Sequence, residues 1–152
     1  MEYSFKIIEQ TRHNLLNILN GLNIEEVNKV PANFNNNLVW HLGHIISSHQ
    51  VLTYKMSGLE PRVNMDVFSK YGKGTKPETF SGVEEYTGFK EILVSSLDNL
   101  KADYREGLFK TYNEYTTSYG ITLSSIETAI QFVGTHEGVH LGYCMALKRA
   151  LR

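Results

Sequence analysis

Apolar residues recur along this chain at spacings of three and four, the period of helices that bury one face. Phe5, Ile8, Leu15, Ile18 and Leu22 fit one face of a first helix, interrupted by Arg12. Leu38, Leu42, Ile45, Leu52 and Met56 predict a second, ending at Gly58. Tyr86, Phe89, Leu93, Leu97, Leu100 and Tyr104 mark a third, and Ile126, Ala129, Val133, Cys144, Leu147 and Leu151 a fourth. Pro31, Pro61 and Pro77 fall between these stretches, where a residue that removes an N–H and clashes one turn back does no harm. Ser124 followed by Glu127 reads as a capping box for the fourth helix, and Lys148, Arg149 and Arg152 complement its C-terminal dipole. Strand alternation is weak; Tyr112 to Tyr119 is the one tempting stretch, short and polar. Asn64 to Thr79, with Gly72, Gly74 and Pro77, reads as a loop containing at most a short helical turn. Four long amphipathic helices with a long second connection predict an all-α helix bundle, a single domain over residues 1–152.

Composition narrows the function classes. Fifteen Lys+Arg against 16 Asp+Glu give a net charge of −1, with no excess to neutralise phosphates, so a nucleic-acid partner is not expected. Cys144 is the sole cysteine, which excludes an intrachain disulfide framework and a cysteine-based zinc ribbon. Glu2, Lys6, Glu9 and Arg12 leave no apolar signal-peptide core at the start. No apolar run approaches the length of a membrane span, so a cytoplasmic protein without a membrane partner is the expectation.

The candidate chemistry lies in the six histidines. His136 and His140 are four apart on the fourth helix, one turn above the other, and they interrupt its core-facing stripe. Two imidazoles on an apolar face are costly unless their nitrogens find partners, and a metal ion supplies one for both. His136-Glu137-Gly138-Val139-His140 matches the H-E-x-x-H signature of zinc proteases. Its context argues against a protease, since 12 residues follow His140 and the extended pattern fails at Tyr143 and Ala146. A third ligand therefore comes from upstream, where His41 and His44 lie three apart on the second helix. His49 points about 140° away from His44, and His13 reads as a solvated surface residue. Glu137 is expected as a helix-surface carboxylate, the other reading being a general base or an acceptor for a ligand histidine. Cys144 reads as a small buried hydrophobe rather than a reactive thiol. Gly134, Gly138 and Gly142 form a ribbon opposite the histidines. Close approach of another helix would explain their cost, within the bundle or across a homodimer.

These residues carry a resemblance. Trp40-x-x-Gly43-His44-Ile45, followed about 90 residues later by His136-x-x-x-His140-x-Gly142, resembles the DinB/YfiT-like superfamily. Asn35 to Trp40 and Lys73-Gly74-Thr75-Lys76-Pro77 look like a bacterial branch of it, and the resemblance spans nearly the whole chain. It implies an up-and-down-type four-helix bundle holding one divalent ion through His44, His136 and His140. His41 departs from the family pattern; it stands either behind a ligand or in competition with His44. The resemblance further implies a metal-dependent transferase that activates a low-molecular-weight thiol, such as bacillithiol or mycothiol, for attack on an electrophile. The alternatives are a metal-dependent hydrolase and a non-catalytic, stress-associated metal-binding protein. Three imidazoles suit Zn²⁺ or Ni²⁺, and the Irving–Williams order favours Ni²⁺ over Fe²⁺ and Mn²⁺.

Overall fold

The computed structural model describes residues 1–152. Its elements in order are α1 (Glu2–Leu19), α2 (Ile24–Asn28), α3 (Leu38–Thr53), α4 (Asp66–Tyr71), α5 (Val83–Arg105), β1 (Tyr115–Thr116), β2 (Thr122–Leu123) and α6 (Ile126–Ala150). The four long helices are those the apolar spacing predicts. The second breaks after Thr53 into one 3₁₀ turn, Lys55–Ser57, and stops at Gly58, whose φ of 73° is a left-handed conformation that glycine adopts without a Cβ penalty. The short α2 escapes the pattern, because five residues bury only Val27 and show no period. Its start is nevertheless chemical: the Asn23 side chain accepts from Glu26 N, and Glu26 accepts from Asn23 N. The N-cap of α6 is Ser125 rather than the expected Ser124, with Thr128 rather than Glu127 as its reciprocal partner. Ser125 is the residue that turns extended just before the helix, and its hydroxyl accepts from Thr128 N at 3.3 Å. β1 and β2 form a two-residue antiparallel ladder, Tyr115 opposite Leu123 and Thr116 opposite Thr122.

α1 and α3 each pack against both α5 and α6, closing a four-membered ring. The core it encloses is split in two. One half gathers Leu15 and Leu19 of α1, Leu42 and Ile46 of α3, Leu93 of α5, and Cys144 and Leu147 of α6. The other gathers Phe5 and Ile8, Leu52, Leu97 and Leu100, and Ile130 and Val133 from the same four helices. Between the halves lies a linked polar layer with a member on each long helix, in which buried Arg12 meets His49, Ser96 and Glu137. The order in which each helix crosses this layer gives its direction. α1 and α6 run one way and α3 and α5 the other, so the long connection between α3 and α5 returns the chain along the bundle. No helix is long and apolar enough to cross a membrane.

Candidate metal centre

His44 is positioned from the start of α3. Asn37 caps that helix by accepting from Trp40 N at 2.8 Å, and its own amide donates to Asn28 O at 2.8 Å. The Trp40 indole then stacks on the His44 ring, centroids 4.6 Å apart and planes 11° from parallel. His44 Nδ1–H donates to Tyr71 O at 2.8 Å, the last residue of α4. That bond fixes the tautomer with an Nε2 lone pair directed into the site, where Ser48 Oγ lies 3.2 Å away. Gly43 is required by the same arrangement: the Tyr71 ring occupies the space a Cβ would need. The loop between Asn64 and Thr79 is thus what holds His44 in place.

His136 and His140 stand one turn apart on α6, with their Nε2 atoms 3.1 Å apart. The ligand atoms of His44, His136 and His140 all lie within 4.8 Å of one another. Two nitrogens bound to one tetrahedral ion at 2.0–2.1 Å are about 3.3 Å apart, so the α6 pair is spaced as such an ion requires. His41 Nδ1 is 2.8 Å from His140 Nδ1, the nitrogen on the far side of the ring. The tautomer that frees the His140 Nε2 lone pair has Nδ1–H donating to His41, which leaves the His41 proton on a buried Nε2 without a partner. His41 therefore stands behind His140, and the histidines whose ligand atoms converge are His44, His136 and His140.

Burial lowers the pKa of all four. His41 and His136 are brought down to about 4 and His140 to about 2, first by desolvation and then by repulsion from neighbouring histidines. His44 is lowered by burial too, an effect opposed by its bond to Tyr71 O. At neutral pH these are neutral imidazoles with lone pairs available, the state a divalent ion binds. Three such residues can hold a metal ion.

Glu137 corrects the surface position expected of it. It is 1% exposed and paired with Arg12, itself 3% exposed, at 2.7 Å. Arg12 also donates to Leu93 O at 2.6 Å and Ser96 Oγ at 3.0 Å, and meets His49 Nδ1. Both Glu137 oxygens accept from Arg12, and neither is bonded to a site histidine. A sequence signal existed: Arg12 sits within an apolar stripe, where a charge needs a buried partner. On α6, at 100° per residue from His136, Glu137 lies near 100°, between Cys144 near 80° and Ile130 near 120°. Cys144 is fully buried and its thiol is pushed up to about 12, so it is neither ligand nor nucleophile. His13 is exposed, as expected. Of the glycine ribbon, Gly134 faces Ile7 and Ile8 of α1, while Gly138 and Gly142 have open space around them.

A cleft of about 300 Å³ opens on His44 and His136, walled by α3, the end of α4, the β1–β2 turn and α6. A second, of about 280 Å³, reaches His140 past Tyr119 and Phe132. The histidines are thus reachable from solvent, unlike the Arg12 layer beside them. Known proteins share this arrangement of the chain. It is similar to a conserved protein from Enterococcus faecalis of solved structure, with a TM-score of 0.68 at 13% identity, over 99% of this chain and 95% of that one. No curated protein matches the sequence. The family model of the DinB superfamily matches residues 7–144. Because that match takes in most of the chain and all three clustered histidines, the chain belongs to the DinB superfamily.

Proposed function

We propose that this protein binds one divalent ion, Zn²⁺ or Ni²⁺, through Nε2 of His44, His136 and His140, and uses it as a transferase acting on a low-molecular-weight thiol. The observation that supports this reading is the combination of three converging neutral imidazoles with a cleft that ends on two of them. Three protein ligands leave open positions on the ion, the arrangement of catalytic rather than structural sites. An ion held there would lower a thiol's pKa and keep the thiolate beside a second substrate. The chain's own residues do the rest. Tyr71 O and Trp40 orient His44, and His41 orients His140. Phe68 and Phe132 offer apolar walls to an electrophile. The thiol proton leaves to water through the open cleft, the sulfur lone pair forms the new bond to the electrophilic carbon, and the leaving group departs with its bonding pair.

The test is turnover of a model electrophile, 1-chloro-2,4-dinitrobenzene, by the metal-loaded protein with added thiol. Rate enhancement that requires both metal and thiol, and that His136→Ala abolishes, is the expected result. Metal binding without thiol-dependent turnover would assign the site to a non-catalytic role, and turnover of an ester without thiol would assign it to hydrolysis by metal-bound water.

A further inference from the structure

The cleft over His44 and His136 has an unusual charge content. Its rim carries Lys55, from the 3₁₀ turn after α3, and Lys73, from the loop after α4. No carboxylate lines it, although the chain has 16 acidic residues against 15 Lys and Arg. Neither lysine has an ion-pair partner; the cations paired on this protein are Arg12, Arg62, Lys70, Lys101 and Arg105. Lys55 Nζ lies 5.9 Å from the centroid of the Phe68 ring, another cleft residue, which holds the ammonium at the mouth. The floor adds to the imbalance, because three neutral imidazoles do not reduce the charge of a divalent ion. The exposed hydroxyl of Ser118 offers a further donor along the wall. Like charges focused in a low-dielectric cleft attract and concentrate a ligand of opposite sign. The volume sits at the small end of the range for small-molecule sites.

We propose that the cleft selects a small co-substrate bearing a carboxylate, which Lys55 and Lys73 receive while its sulfur faces the histidines. This rests on the reading above that the three histidines hold an ion and accept a thiol. Both lysines are exposed, so they keep their charge without a desolvation cost, and the attraction is screened by salt.

The test uses Co²⁺-loaded protein, whose sulfur-to-metal absorption band reports thiol binding, and compares 3-mercaptopropionate with 2-mercaptoethanol. The expected result is at least tenfold tighter binding of the carboxylate thiol, a preference that shrinks in high salt. The double variant Lys55→Gln/Lys73→Gln should lose that preference and keep its affinity for 2-mercaptoethanol. Equal affinities in the unaltered protein, or a preference that survives in the double variant, would overturn the proposal while leaving the metal site standing. Should Co²⁺ titration show no binding, the metal reading fails separately. The anion site is then decided on the metal-free protein by calorimetry with glutarate against glutaramide. Glutarate binding that Lys55→Gln/Lys73→Gln removes supports the site, and absence of binding overturns it.

Discussion

Two polar clusters meet on neighbouring residues of α6 and handle burial in opposite ways. Glu137 lies at the centre of the buried stripe, within a layer that draws one side chain from each long helix. Its charge is met by Arg12, whose remaining donors reach Leu93 O and Ser96 Oγ. His136 and His140 lie at the margin of the same stripe, half-buried, with nitrogens turned toward one another and a cleft above them. The first cluster is closed around the Arg12–Glu137 pair, with His49 Nε2 its one buried nitrogen lacking a partner. The second converges lone pairs on one point, which is an arrangement for binding rather than for holding helices together. The comparison teaches that the number of buried polar groups does not identify a site; the direction of their unused valences does.

The sharpest way to break this contrast is to remove one partner of the closed cluster. Glu137→Ala leaves a buried guanidinium uncompensated and should cost about 3–5 kcal/mol in urea unfolding. Arg12→Met/Glu137→Leu should recover most of that loss, because a pair of well-packed apolar residues replaces a pair of desolvated charges. His136→Ala in metal-free protein should cost distinctly less, and equal losses would mean the two clusters do the same structural job.

Metal titration addresses the open cluster. His44→Ala should weaken binding by more than 100-fold, whereas His41→Ala, which removes only the group behind His140, should weaken it about 10–100-fold. The reverse ranking would place the ion on the His41 side of the ring.

Acid should act chiefly through the histidines. Their folded-state pKa values are lowered, to about 4 for His41 and His136 and about 2 for His140, from about 6.5 in the unfolded chain. Below pH 6.5 the unfolded chain therefore takes up protons that the folded chain refuses. Stability is greatest above that pH and falls as pH drops toward 4. Thermal melts of metal-free protein at pH 5 and pH 8 should differ in that sense, and His41→Gln/His136→Gln should narrow the gap. Metal binding should fall over the same interval, since protons and the ion compete for the lone pairs.

The smallest effect serves as a control on the far face of α6. A Cβ at Gly138 meets nothing within 4 Å, so Gly138→Ala should raise stability by about 0.8–1.0 kcal/mol through helix propensity alone. A loss instead, with a change in light scattering, would show that this face is covered by a second copy of the chain, as in the homodimer the glycine ribbon suggests.

The sequence by itself determined the four long helices, because apolar spacing and proline placement record the buried face of each. It also carried the His136–His140 pair, since a four-residue step fixes two side chains on one helix face whatever surrounds them. The centrality of Glu137 was equally available from the helical wheel, but a surface reading of a lone carboxylate obscured it. Other features had no local signature. That His41 backs His140 while His44 faces the site depends on the rotation of α3 against α6 and on Tyr71, a residue of α4 held against Gly43. Which partner Arg12 would find depends on the order in which four helices cross one layer. Those are relations between elements distant in sequence. Packing selects among the faces that each helix offers, and only the assembled bundle fixes which nitrogens turn inward and which charge they meet.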